Sequence, residues 1–452
     1  MTSAAVRLVP RSVRKNRPLA GLLGLGLLML AVVASGPRIF QAYGFTGFVP
    51  WIIASSVITV AAARLAPHVS PRAGLIIILG LAVVMRVGIM NGAPFLSTDL
   101  YRYIWDGRVQ AAGINPYLYV PANPALAPLR DAAIYPNINR ADYAVTAYPP
   151  VAQMFFLAVT RVSESLALMR LAMVSCEIIV VAVLIDLLRR LQRPVTAVVA
   201  WAWHPLAIWE IANSAHVEVL MVALMMAGVW LMARSKALWG AVVVGLAALV
   251  KPYAVVALPA FWRFWDWPTP LAVIMFAGLC YVPYLGAGSG VLGYLGTGYL
   301  AEEGFVSGDG FWQVGLARAA VGDIPGLRAA YLLLAAGGMS WLALRSVARA
   351  DAPLPTKLQD TAGLLMTALF FMSPHYPWYF LAIVPFIALV GGGPLWTMSI
   401  AATLLYRPPV LTDSELVWRC LAGLPFVVAI TIAWVRQQGS STKAQGASLW
   451  TG

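Results

Sequence analysis

LIIILGLAVVMRVGIMNGAPFLSTDLYRYIWDGRVQAAGINPY, residues 75–117, runs from an apolar stretch directly into aromatic, arginine and carboxylate side chains. Asp99 is the first carboxylate of the chain, since no Asp or Glu precedes it. An apolar run ending near Met90, about as long as the 20 residues that cross a bilayer, reads as a transmembrane helix that delivers a charged loop to one membrane face. That reading sets the class of the fold, and the rest of the sequence agrees with it.

Of 452 residues, 61% are hydrophobic and 11% charged, too apolar and too charge-poor for a soluble enzyme of this length. Apolar runs recur from about residue 20 to residue 435, so the chain reads as an all-α polytopic membrane protein. The net charge of +13 does not point to nucleic acid. The basic residues sit in short patches beside apolar runs, as cytoplasmic loops next to anionic lipid do. Cys176, Cys280 and Cys420 are odd in number and fall inside apolar runs. They read as small buried hydrophobes, neither a disulfide frame nor a metal site.

Candidate spans are 19–36, 46–64, 73–90, 168–188, 195–210, 216–233, 270–287, 327–344, 359–373, 378–391, 394–407 and 416–435, about twelve crossings of one membrane domain covering 1–452. The basic start of the chain, with the apolar run Leu19 to Gly36 and Val33-Ala34-Ser35 in the manner of a cleavage site, reads as a retained first helix. Residues 1–18 are then a cytoplasmic basic tail and 437–452 a cytoplasmic polar tail. Arg64, Arg72, Arg189, Arg190, Arg193, Arg234, Lys236, Arg263, Arg345, Arg349, Lys357 and Arg436 all fall on one side, which marks the cytoplasm. Two segments fit as non-crossing pieces. Residues 149–163 read as an outward-facing interfacial helix, and 237–262, split at Lys251-Pro252, as a helical hairpin returning to the cytoplasmic side. The loops 91–167, 288–326, the turn around His375 and 407–415 then face outward, carrying most carboxylates, Asp413 among them.

Residues 97–111 have the pattern of a helix capped by Ser97 or Thr98, with Asp99, Arg102, Tyr103, Asp106 and Gln110 along one face. Leu100, Ile104 and Trp105 face elsewhere, so the helix is expected to rest flat on the outer leaflet and to end at Gly113-Ile114-Asn115-Pro116. On spacing alone, Asp99 is a first-turn carboxylate complementing the helix dipole. A loop of roughly 75 residues is uncommon unless it is functional. This one holds Tyr101, Tyr103, Trp105, Tyr117, Tyr119, Tyr135, Tyr143 and Tyr148, whose rings suit sugars and equally an interfacial belt.

The run DLYRYIWDGRVQAAGINPY, then AYPPVAQ, Arg170, LVKPYAVVALP at 249–259 and SPHYPWYF at 373–380 resemble polyprenyl-phosphate-sugar-dependent glycosyltransferases of the GT-C fold, closest to the bacterial mannosyltransferase-like glycosyltransferase family 87. The resemblance covers most of the chain and implies a GT-C-like bundle in the bacterial inner membrane, its active site facing outward. It also implies transfer of a hexose, mannose in the first instance, from a polyprenyl-phosphate carrier to a glycan or glycolipid acceptor, with membrane lipid as solvent and no cofactor. An acidic residue in the first long outer loop is the catalytic base of that superfamily, and Asp99 holds the place. Three helices precede the loop here, where one is usual.

Cations for the leaving phosphate are expected at the outer helix ends: Arg170, His375 and Arg407, with Lys251 deeper at the hairpin break. Each has an ordinary structural reading. Arg170 can snorkel, His375 can close a turn, and Lys251 can cap a half-helix or pair with Glu177. Asn213, His216 and Glu218, with Glu210 before them, can bind an acceptor or a divalent ion or form a polar network between helix ends. With Arg102, Tyr103 and Asp106, His216 and Glu218 are the acceptor or sugar candidates, and a metal-free reaction is expected. The glycine-rich loop 288–326 is a candidate lid. The competing classes are a transporter or flippase of lipid-linked substrates, which predicts an internal repeat not found here, and a glycan polymerase or ligase, which would not need Asp99.

Overall fold

The computed structural model describes residues 11–408 and 414–448. Residues 1–10 of the expected basic tail, residues 409–413 of the loop 407–415 including Asp413, and residues 449–452 lie outside them. Among the described residues the chain is helical, with no strand. The helices are α1 (Arg11–Leu65), α2 (Pro71–Met90), α3 (Asp99–Ala111), α4 (Pro150–Thr160), α5 (Leu166–Arg190), α6 (Val199–Ala202), α7 (Glu218–Met232) and α8 (Ala237–Ala248). They continue with α9 (Pro268–Tyr281), α10 (Leu300–Glu302), α11 (Trp312–Val321), α12 (Leu327–Ala348), α13 (Leu354–Met372), α14 (Val384–Leu389), α15 (Gly393–Ala401) and α16 (Glu415–Ser448). Among the described residues, six stretches are long and apolar enough to cross a membrane: Arg17–His68, Pro71–Met90, Leu166–Arg190, Pro268–Glu302, Leu327–Ala348 and Glu415–Arg436. The protein is thus all-helical, with the build of a polytopic membrane protein.

The first stretch is two antiparallel arms. Gly44 sits at φ 56°, ψ −148°, a conformation open to glycine, and reverses the chain. The Trp51 indole donates to the Val32 carbonyl at 2.9 Å, and a Cβ at Gly21 would lie 2.9 Å from the Leu65 side chain, so the arms pack side by side. This matches the sequence reading of 19–36 and 46–64 as separate helices. Helix already begins at Arg11, within the expected N-terminal tail, and α16 carries helix on to Ser448 through most of the expected C-terminal tail.

Apolar helices must satisfy their backbone internally, and α6 shows how. Pro205 has no N–H to donate, so the helix breaks after Trp203. The Ala202 carbonyl accepts from Arg86 at 2.7 Å and the Trp203 carbonyl from Thr59 Oγ1 at 2.7 Å. Arg86 also pairs with Glu177 at 2.8 Å, both buried in the bundle, so Glu177 is not the partner of Lys251 that the sequence offered.

Residues 237–262 form the expected hairpin. Helix α8 climbs, the chain turns at 249–251, and the helical segment Pro252–Phe261 returns, with a Cβ at Gly240 falling 3.1 Å from the Phe261 ring. At 11 residues, about 16 Å, α4 is too short to cross a 30 Å core. It packs on α3. Helix α3 does not lie flat on a leaflet, which corrects the sequence expectation: Leu100, Ile104 and Trp105 are as buried as Arg102, Tyr103 and Asp106. Apolar surface of this size is best removed from water and headgroups by packing under the loop 112–149, and the Tyr103 ring stacks on Phe156 of α4 at 4.6 Å. The helix ends as its sequence indicates, with Gly113 at φ 78° and the Ile114 N–H donating to the Val109 carbonyl at 3.1 Å.

Candidate active site

The loops on either side of α3, the hairpin tip, the segment from Tyr294 to Phe305 and the turn after α13 enclose a cavity of about 580 Å³. Asp99, Arg102, Lys251 and His375 line it, as do Asn139, Arg140, Tyr148, Tyr299, Trp378 and Tyr379.

Asp99 opens α3, its N–H donating to Ser97 Oγ at 3.2 Å. Asn139 Nδ2 donates to Asp99 Oδ1 at 2.6 Å and the Tyr148 hydroxyl to Oδ2 at 3.3 Å. Burial, reinforced by the Asp99 charge, pushes the Tyr148 phenol well above its ordinary value, so it stays protonated and able to donate. The carboxylate is held by two donors, yet its side chain keeps 14% exposure toward the cavity.

Behind Asp99 lies His216, fully buried, with Nε2 3.9 Å from Asp99 Oδ2 and no hydrogen-bond partner of its own. Its Nδ1 is 2.8 Å from Glu210 Oε2, its ring stacks on Trp378 at 4.0 Å, and Glu210 accepts from the Tyr406 hydroxyl. Ala215 at φ 54° makes the turn that lets the His216 N–H donate to the Glu210 carbonyl at 2.9 Å. The ring is therefore held at one face and at one nitrogen.

Lys251 enters from the hairpin tip. Its ammonium is 2.7 Å from Glu218 Oε1, with both groups deep in the protein, and 5.4 Å from each of the Tyr148 and Tyr379 rings. Aromatic faces and one carboxylate replace the water it loses. The Tyr379 hydroxyl is 2.7 Å from that of Tyr299, which comes from the glycine-rich loop.

The other residues singled out in the sequence separate into those on the cavity and those behind it. Arg102 reaches the cavity wall but pairs with Asp106 at 2.8 Å and donates to the Ala144 carbonyl. Asp106 is buried behind it, accepting from Thr146 Oγ1 at 2.6 Å and Gln153 Nε2 at 3.0 Å, and so ties α3 to the start of α4. The Tyr103 hydroxyl accepts the Val217 N–H at 3.3 Å, also behind the wall. Arg170 is not on the cavity. Its guanidinium is buried and donates to the carbonyls of Met90, Gly92 and Asn213 at 2.6–3.1 Å, clamping the exit of α2 to the turn before α7. Arg407 pairs with Glu415 at 2.9 Å, half-exposed and likewise off the cavity.

His375 lines the cavity with both ring nitrogens engaged. Nδ1 is 2.8 Å from Glu303 Oε2, and Nε2 lies 2.8 Å from the Arg419 guanidinium and 3.2 Å from the Gly310 carbonyl oxygen. Arg140 carried no motif, yet it stands in the wall at φ 55° with Glu302 at 2.6 Å and Glu303 at 3.8 Å. Asn139 was equally silent, and Trp378 and Tyr379 were legible only as parts of the SPHYPWYF run. Glu302 and Glu303 lie in the loop 288–326 and, with Tyr299, hold it over the cavity. Among the described residues no group of three or more His, Cys, Asp or Glu side chains is placed to hold a metal ion.

Comparison with known proteins gives the chain a family. The chain is 28% identical over 191 residues to "Alpha-(1->6)-mannopyranosyltransferase A" of Mycobacterium tuberculosis (strain ATCC 25618 / H37Rv), a match covering 41% of this chain and 36% of that protein. The chain thus spans about a third of the length of the curated relative it matches. No solved structure matches it. Residues 40–266, half of the chain, match the family described as "Alpha-(1->6)-mannopyranosyltransferase, N-terminal domain", and that segment carries Asp99, Asn139, Arg140, Tyr148, His216, Glu218 and Lys251. The chain belongs to this mannosyltransferase family.

Proposed function

We propose that the protein is an inverting mannosyltransferase that moves a mannose from a polyprenyl-phosphate carrier to a glycan or glycolipid hydroxyl on the outer face of a bacterial inner membrane. The observation that carries this is the bridge made by Tyr148. Its hydroxyl donates to Asp99 while its ring faces the Lys251 ammonium, so a base and a cation share one cavity wall. In this reading the chain crosses twelve times, with both termini in the cytoplasm and the cavity outside. Short and broken helices such as α7 and α14–α15 complete the crossings inside the bundle, where neighbours cover them.

In this reading the acceptor O–H attacks the anomeric carbon as the bond from that carbon to the carrier phosphate breaks. The hydroxyl proton passes to an Asp99 carboxylate oxygen, and the departing phosphate keeps the bonding electron pair. Lys251 and Arg140 meet that growing charge, a task suited to preorganised cations in a site with little water. Arg170, His375 and Arg407, named from sequence as phosphate ligands, act instead through structure: Arg170 through backbone carbonyls, and His375 and Arg407 through the Glu303–Arg419–Glu415 cluster. Nothing in the step calls for a cofactor. Transfer from radiolabelled polyprenyl-phosphate mannose to membrane acceptors, compared between parent and Asp99→Asn at matched expression, tests it. Loss confined to the variant supports the reading; equal transfer removes Asp99 from the mechanism, and no transfer by the parent overturns the donor.

A further inference from the structure

A second cavity, of about 210 Å³, opens between the C-terminal half of α12 and the N-terminal half of α13, with Arg345, Arg349, Gln359 and Asp360 on its walls. It lies at the opposite end of α13 from the catalytic cavity, which takes Met372 at that helix's other terminus. Arg349 is neutralised by Asp360 at 3.2 Å. Arg345 acts on the same carboxyl but forms no ion pair of its own among the described residues, so one carboxylate faces two arginines, and the Arg345 guanidinium lies 5.4 Å from the centre of the Trp341 ring. Nearby, Arg263 is matched by Asp351 at 2.8 Å, so Arg345 is the positive charge left over in the cavity. The outer face of α12 is apolar and bare, with Leu333 74%, Leu334 66%, Trp341 60% and Leu344 57% exposed. An exposed tryptophan beside an arginine at the end of a lipid-facing helix marks the headgroup level of a bilayer.

We propose that this cavity seats the headgroup of a membrane phospholipid, its phosphate on Arg345 and Arg349 and its acyl chains along the exposed face of α12. A volume of 210 Å³ has room for about seven water-sized groups, enough for a phosphate and a short alcohol. Asp360 and Gln359 offer acceptors to a headgroup substituent that carries hydroxyl or ammonium hydrogens. Phosphatidylglycerol and phosphatidylethanolamine meet that condition, and phosphatidylcholine, whose nitrogen has no hydrogen to give, does not. A general attraction of basic loops for anionic membranes would treat every exposed cation alike. This site singles out one arginine and one class of headgroup, and it stands independently of the reaction in the catalytic cavity.

The test is native mass spectrometry of the full chain, released from detergent after incubation with each of the three lipids, for the parent, Arg345→Ala, Gln359→Leu and Lys236→Ala. Lys236 is an exposed cation outside the cavity. The expected result is retention of phosphatidylglycerol and phosphatidylethanolamine over phosphatidylcholine, weakened about tenfold by Arg345→Ala, the scale of one charge-assisted contact. Gln359→Leu should narrow the difference between headgroups, and Lys236→Ala should change nothing. Equal retention by parent and Arg345→Ala, or equal retention of phosphatidylcholine, overturns the site. Displacement of the lipid by excess inorganic phosphate overturns the lipid as occupant and assigns the cavity to a soluble phosphate.

Discussion

Lys251 Nζ lies 2.7 Å from Glu218 Oε1, joining the tip of the helical hairpin 237–262 to the first residue of a helix buried in the bundle. Removing one member of such a pair leaves an uncompensated charge. Lys251→Met should therefore cost about 3–5 kcal/mol of stability, and Lys251→Met/Glu218→Gln should recover much of it without recovering transfer. Thermal unfolding in detergent, beside a transfer assay on the same preparations, separates the two effects.

Asp99→Asn keeps the contacts of its side chain with Asn139 and Tyr148 nearly isosteric while withdrawing the base. A loss of about 10²–10⁴-fold in kcat is expected, with the donor KM and the unfolding temperature little changed. A variant that loses donor binding in step with turnover would place Asp99 in recognition and not in proton transfer.

His216 touches no cavity space, so its contribution runs through Asp99. His216→Gln should lower kcat by about tenfold, the scale of one charge-assisted contact, and leave KM nearly constant. Glu210→Gln, one step further back, should do less. Loss of stability with an unchanged kcat per folded molecule would make the group architectural.

Arg170→Ala strips donors from the carbonyls of Met90, Gly92 and Asn213 and should lower stability by about 3–5 kcal/mol. Transfer should fall in proportion to folded protein. A phosphate ligand would behave otherwise, with donor KM rising in a protein of normal stability.

At the end of α3, Arg108 holds the Asp131 carboxyl well below the usual carboxylate range, through a hydrogen bond at 2.9 Å, and also pairs with Glu164 at 2.8 Å. A carboxyl depressed on folding contributes stability above its unfolded pKa, near 4, and loses it as pH falls through the folded value. The parent should therefore lose unfolding temperature between about pH 5 and pH 2 more steeply than Asp131→Asn. Asp131 is 38% exposed, so the difference stays within about 1 kcal/mol.

The bundle was legible wherever one helix carried its own signal. Apolar length gave the arms about Gly44, α2, α5 and α12, and Lys251-Pro252 between cationic flanks gave the hairpin. The α3 stripe gave Asp99, Arg102 and Asp106 on one side of a helix. What escaped was pairing. Glu177 and Glu218 are equally plausible partners for Lys251 in one dimension, and only the packing of α2 against α5 gives Glu177 to Arg86. Amphipathicity put α3 on a leaflet because nothing in residues 97–111 tells lipid headgroups from a covering loop. Arg140 and Asn139 lie in irregular chain without periodicity, and their place in the wall depends on a backbone turn at positive φ that no neighbouring glycine announced.

The hairpin also constrains how the protein is made. Glu218 leaves the ribosome before Lys251, the residue with which it makes its ion pair. That pair can close only once residues 237–262 have been made and have folded back. The wall around Asp99 is thus completed only when the hairpin tip brings Lys251 to Glu218 and to the Tyr148 ring.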